Sequence, residues 1–145
     1  MALDDPNKKM SKSADSPNNY IALLDSPDTI REKIKSAVTD SGSEIKYDEK
    51  NKPAMSNLLN IYSLFSKKST TDLEKEYAGK NYSIFKKDLA EVIIAGLSPV
   101  QKKYKELEAS PDQVKKILKE GAQKARQIAS QTMKEVREKV GFLDC

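Results

Sequence analysis

Residues 25–40 read DSPDTIREKIKSAVTD, and this stretch decides the fold class. Ser26 is a residue type that caps a helix start. Pro27 suits the first helical position, where its missing N–H costs nothing, and Asp28 favours the positive end of the helix dipole. Ile30, Ile34, Ala37 and Val38 then share one face at helical spacing. The same order of cap, proline and acid returns at Ser110-Pro111-Asp112.

Working outward, PAMSNLLNIYSLFSKK predicts a second helix, with Met55, Leu58, Leu59, Tyr62 and Phe65 in line. Ser69 caps a short helix, TTDLEKEYA, that stops at Gly79. From Tyr82 to Glu108 the pattern is helical again, through Phe85, Leu89, Val92, Ile93, Leu97, Val100, Tyr104 and Leu107. Pro99 is expected to kink or break that helix. The longest helix begins at Ser110 and ends at Gly141. Its seam of Val114, Leu118, Gly121, Ala125, Ile128, Thr132, Val136 and Val140 is narrow enough that a neighbouring helix can approach closely near Gly121 and Ala125. YIALL, residues 20–24, is a short apolar stretch, and IKY at 45–47 makes a short extended piece at most. No strand of convincing length appears. The expected fold is all-α, a bundle of about five helices behind an irregular mobile loop. The expected division is residues 1–19 as loop and linker and residues 20–145 as the helical domain.

The chain has 145 residues, enough for one compact core, which must be mainly aliphatic because only three Phe, six Tyr and no Trp are present. The net charge of +4 comes from 26 basic and 22 acidic residues, interleaved, so it permits an acidic or nucleic-acid partner without demanding one. Cys145 is the only cysteine, so no internal disulfide forms and a reducing cytoplasm is the expected location. No apolar run approaches the roughly 18 residues of a membrane span, and no apolar region follows the first lysines to make a secretory signal. Histidine is absent. That excludes Ser/His/Asp and Cys/His triads, imidazole acid–base chemistry and histidine metal sites, so no resident metal site is expected. Whatever chemistry occurs rests on lysine charge, hydroxyls, backbone amides or carboxylates.

Residues 8–19, KKMSKSADSPNN, concentrate that chemistry near the chain start. Lysine ammonium groups, serine hydroxyls and free amides hold polyphosphates, and such cations stabilise charge on departing pyrophosphate without moving a proton. Lys9 and Lys12, with Ser11 between them and Ser13 beyond, supply such a cluster. Composition alone leaves the stretch open between a phosphate-gripping loop and a soluble tail.

The flanking sequence decides between them. MALDDPNKKMSKS resembles the signature loop of class I aminoacyl-tRNA synthetases. The later segments IREKIKSAVTDSG, SNLLNIYS, EYAGKNYSIFKKDLAE and VREKVGF resemble the C-terminal portion of the bacterial tryptophanyl-tRNA synthetases. Together they cover nearly the whole chain. The five-residue motif by itself is shared with other class I enzymes, the methionyl one included, and the tyrosyl family is the nearest relative. The resemblance implies that Lys9, Met10, Ser11, Lys12 and Ser13 form a mobile ATP-binding loop. Lys12 and Lys9 would be its catalytic cations, with Lys12 nearest the ATP phosphates. It further implies ATP with magnesium, tryptophan and its tRNA as partners, a homodimeric full-length enzyme, and neither membrane nor DNA.

That family also needs an HIGH-type signature in a Rossmann-type fold, which a chain without histidine does not contain. The resemblance therefore implies a fragment. Met1 would be an internal methionine, the chain end near VGF would be native, and the fragment alone would be inactive. The helical region would face the anticodon end of the tRNA. Lys86-Lys87, Lys102-Lys103, Lys115, Lys116, Lys119, Lys124, Arg126, Lys134, Arg137 and Lys139 are its cations, though mixed charge on helices more often simply faces water. AVTDSG is a family-like turn, and its Asp40 fits equally a structural cap for the loop that follows. A stand-alone helical RNA-binding or protein-interaction module is the alternative function, and a purely structural bundle is a third.

Overall fold

The computed structural model describes residues 1–142, so the terminal thiol of Cys145 lies outside the described residues. The order is a 3-10 turn at Pro17–Asn19, then α1 (Pro27–Ser36), α2 (Pro53–Ser66), α3 (Thr70–Glu76), α4 (Tyr82–Glu108) and α5 (Pro111–Val140). Among the described residues there is no strand, only an isolated bridge between Asp48 and Lys52. The fold is all-α, as expected. By packing, the chain divides into two units, Met1–Gln101 and Lys102 onward.

The first unit holds the core. Helix α1 starts as its sequence dictates: Ser26 Oγ accepts from the Thr29 amide at 3.1 Å. Ile30 and Ile34 are fully buried. Val38, expected on the same face, is 44% exposed. The helix ends at Ser36 and Ala37 turns into extended backbone, so Val38 has left the helical period, and its amide donates to Leu3 O at 2.8 Å.

Helix α2 buries Met55, Leu58, Leu59 and Tyr62. Its own N-cap residue, Lys52, makes no side-chain capping bond. Asp40 does that work from a distance, its two carboxylate oxygens accepting from the Ala54 and Met55 amides at 3.3 and 2.8 Å. Helix α3 is capped by Ser69, whose Oγ accepts from the Asp72 amide at 3.1 Å. It ends at Glu76, a turn before the Gly79 expected to stop it, and Gly79 sits at φ +74° in the turn beyond.

Helix α4 contributes Phe85, Leu89, Ala90, Ile93 and Leu97 to the core and runs unbroken past Pro99. Val100 and Tyr104, expected to continue its apolar face, are 49% and 44% exposed. Tyr62, Tyr77 and Phe85 meet at ring-centroid distances of 5.1 to 5.8 Å. Within that cluster the Tyr62 and Tyr77 hydroxyls are 2.8 Å apart, and Tyr77 donates to Asp88 at 2.9 Å. Burial pushes the Tyr77 phenol far above its usual range, so it stays a donor.

The second unit is differently built. Helix α5 ends at Gly141, whose φ of +77° suits the left-handed cap expected there. Ser110, expected to cap its start, makes no side-chain capping bond. No residue of α5 is buried, and nothing lies within 4 Å of a Cβ built on Gly121. The space that the seam leaves at Gly121 is thus open among the described residues. The close approach occurs at Gly96 instead, where an added Cβ would fall 2.4 Å from Phe65 Cδ1.

Candidate functional site

The stretch read as loop or arm is stitched into the first unit. Ala2 and Leu3 are 1% and 2% exposed, and Leu3 joins the core. Asn57 on α2 accepts from the Met1 amino group at 2.8 Å and donates to the carbonyls of Met1 and Ala2. The neck of the loop is closed by two backbone bonds, Ala2 N–H to Lys8 O at 2.9 Å and Leu3 N–H to Asn19 O at 3.0 Å. An apolar Ala-Leu pair and two polar anchors thus do what a helix would do elsewhere: they give the chain a fixed base from which to project a loop.

The five motif residues divide by exposure. Met10 is half-buried and packs against the core, which plants the motif on the fold. Lys9, Lys12 and Ser13 are exposed and Ser11 is half-buried. Ser11 Oγ and Ser13 Oγ lie 3.0 Å apart, and the Ser11 hydroxyl also accepts from the Ser13 amide at 3.3 Å. Among the described residues neither Lys9 nor Lys12 has a carboxylate within ion-pair distance, whereas Lys8 pairs with Asp5 at 3.3 Å. Asp5 is held below the usual carboxylate range, chiefly by the Asn7 amide it accepts and then by Lys8. The loop therefore presents two free cations and two hydroxyls on a base fixed at Met10. That arrangement suits a polyphosphate, which needs positive charge and donors delivered by a segment able to close.

Sequence reasoning missed Asn19. It is 5% exposed, its Oδ1 accepts from the Ser11 amide at 2.9 Å, and its Nδ2 donates to Asp4 at 2.8 Å. Nothing in the local pattern distinguishes it from Asn18, which is exposed.

The cations of the helical region separate into roles. Lys86 is a fastener: its Nζ donates to Ala37 O at 2.7 Å and Lys35 O at 3.2 Å, closing the C-terminal end of α1, and burial draws its pKa down. Lys87 lies beside it with Arg31, Lys35 and Tyr82 along a groove of about 330 Å³ between α1 and α4. Arg31 there is committed to Glu91 at 2.7 Å and Asp28 at 2.8 Å. Lys103 pairs with Glu106 and Lys115 with Asp112. Arg126, Lys134 and Arg137 line one side of α5.

Among the described residues no three of His, Cys, Asp or Glu gather as a metal-binding group, and no helix is long and apolar enough to cross a membrane.

The chain is similar to known proteins along nearly its whole length. The chain is 50% identical over 143 residues to the tryptophan–tRNA ligase of Caldanaerobacter subterraneus subsp. tengcongensis, covering 99% of this chain and 43% of that protein. It is 47% identical over 142 residues to the tryptophan–tRNA ligase of Bacillus subtilis, again spanning 43% of the relative. The chain thus spans less than half the length of these curated relatives. Among solved structures, the tryptophanyl-tRNA synthetase of Mycoplasma pneumoniae superposes with a TM-score of 0.85 at 30% identity, covering 99% of this chain and 45% of that one. The Campylobacter jejuni enzyme complexed with ADP and tryptophan gives 0.71 at 34% identity, over 98% of this chain and 44% of that one. The family profile of the tRNA synthetases class I (W and Y) matches residues 1–98, which take in the lysine–serine loop and the core that carries it. The chain belongs to the class I tRNA synthetases of the tryptophan and tyrosine group.

Proposed function

We propose that this chain is the C-terminal part of a tryptophan–tRNA ligase, and that residues 9–13 are its ATP-phosphate-gripping loop. The observation that carries the reading is the pair of exposed cations, Lys9 and Lys12, projected from a base fixed by buried Leu3, half-buried Met10 and buried Asn19. In tryptophan activation the amino-acid carboxylate attacks the α-phosphorus and the bond to pyrophosphate breaks. Negative charge grows on the leaving pyrophosphate, and Lys12 stabilises it as a point charge while Lys9 and the two hydroxyls hold the remaining oxygens. The chemistry asks no proton transfer of this chain. Magnesium belongs to the ATP substrate in this reading.

Residues 1–19 would close the catalytic half of the full-length enzyme, and residues 20–145 would form the helical region on the anticodon side of the tRNA. The packing division after Gln101 falls inside that second region. The tryptophan pocket and the homodimer contacts belong to the remaining length of the enzyme, which works in the cytoplasm on its tRNA. The test is ATP–pyrophosphate exchange by the full-length enzyme carrying Lys12→Ala. The expected loss is roughly a hundred- to thousandfold in rate, with tryptophan binding retained. Exchange at the wild-type rate would overturn the assignment.

A further inference from the structure

Resting on the reading just given, we infer that Asn19 is the positioning residue of the lysine–serine loop: it pins the Ser11 amide so that Lys12 and Ser13 alone swing.

The loop is long and polar, and among the described residues two side chains, Met10 and Asn19, tie its motif to the fold. Met10 does so by apolar contact, which sets a position but not an orientation. Asn19 does so by hydrogen bonds, which set both. Its backbone is itself fixed, since its carbonyl accepts from Leu3 N–H at 3.0 Å and its amide donates to Ser16 O at 3.2 Å. From that base its Oδ1 takes the Ser11 amide at 2.9 Å while its Nδ2 donates to Asp4 Oδ1 at 2.8 Å.

Ser11 is the branch point of the loop. Its carbonyl accepts from Ala14 N–H at 3.2 Å, and its hydroxyl accepts from Ser13 N–H at 3.3 Å. The turn that displays Lys12 and Ser13 is therefore hung on Ser11, and Ser11 is hung on Asn19. Release of Asn19 would leave the turn intact but free it from its origin. The ammonium group of Lys12 would then be spread over many orientations in place of a few, a loss paid when ATP must be clasped.

The chemistry of position 19 is specific. It must accept on one side and donate on the other, which a carboxamide does with two separate atoms, Oδ1 and Nδ2. Asn19→Asp would set a carboxylate against Asp4. The exchange Asn19→Asp with Asp4→Asn restores both bonds with donor and acceptor reversed across the pair.

Two measurements test the inference. In the 145-residue chain, amide hydrogen exchange read by NMR should show Ser11 exchanging about five- to tenfold faster in Asn19→Ala, with the amides of Ile30 and Leu59 unchanged. In the full-length enzyme, kcat/KM for ATP in pyrophosphate exchange should fall on the order of tenfold while KM for tryptophan holds. The double variant Asn19→Asp/Asp4→Asn should recover most of both losses, and Asn19→Asp alone should not.

Unchanged Ser11 protection in Asn19→Ala overturns the inference. So does a deprotected Ser11 with wild-type ATP kinetics in an enzyme that Lys12→Ala impairs; the ATP-loop reading then stands without Asn19. If Lys12→Ala is also silent, the reading itself falls and takes the inference with it. Should Asn19→Ala fail to fold, the pair of Asn19→Asp and its double variant decides: no recovery in the double variant overturns the inference.

Discussion

Asp25 and Lys33 form the most enclosed ion pair among the described residues, 2.6 Å apart with side chains 15% and 8% exposed. The pair sits where the chain enters α1. Asp25 also accepts the Ala22 amide at 2.9 Å, and the Lys33 ammonium lies 5.0 Å from the Tyr20 ring centroid. A buried pair adds little over an apolar substitute, but removing one partner strands the other charge. Asp25→Asn is expected to cost about 3 kcal/mol in urea unfolding of the chain, because the Lys33 ammonium keeps its burial and loses its counter-charge. Lys33→Met, which removes the charge along with the pair, should cost distinctly less. Asp25 was legible in the sequence only as the residue before a cap. Its partner lies eight positions on, within α1, and the Lys33 side chain reaches back to the helix entry, a relation that no local pattern encodes.

Among the elements, glycine makes the clearest contrast. Gly96 and Gly121 both lie inside helices, where glycine costs about 1 kcal/mol relative to alanine. The seam read from the sequence takes in Gly121, yet among the described residues no atom outside its own helix lies within 4 Å of where its Cβ would stand. Gly96 instead receives the Phe65 ring of α2, with Cδ1 at 2.4 Å and Cε1 at 2.8 Å from a built Cβ. Gly121→Ala should therefore raise stability or helicity by up to about 1 kcal/mol. Gly96→Ala should lower stability by about 1 kcal/mol, because the displaced ring outweighs the propensity gain. Thermal melts of the two variants beside the parent chain would check both signs. The caps divide in the same way. Ser26 and Ser69 cap as their sequences predict, because the acceptor and the amide lie within one turn. Asp40, expected to serve the adjacent loop, caps α2 from 14 and 15 residues away, and that requires the intervening chain to fold.

For the whole molecule, the two packing units differ in kind. The first has a contiguous core from Leu3 to Leu97, and among the described residues no buried side-chain nitrogen or oxygen lacks a partner. In the second, Ile117, Leu118, Ile128, Met133, Val136 and Val140 are all between 45% and 71% exposed. A helix held only by its own backbone bonds opens more readily than one packed by its side chains. Hydrogen exchange on the 145-residue chain should find α5 amides losing protection well before those of Leu59 and Ile93. Equal protection would mean that the α5 apolar face is covered in solution.

The helices and their order were legible in the sequence residue by residue, as were the cationic and hydroxyl residue types of the loop. Those features rest on caps, on the 3.6-residue period and on charge and hydroxyl types, all of which act within a turn or two of chain. Only the tertiary structure decided which apolar seam is buried, which glycine is approached, that Lys86 closes α1, and that Ala2, Leu3 and Asn19 tether the loop. Burial and long-range hydrogen bonds depend on what arrives from elsewhere in the chain, so the residue that receives them carries no local mark.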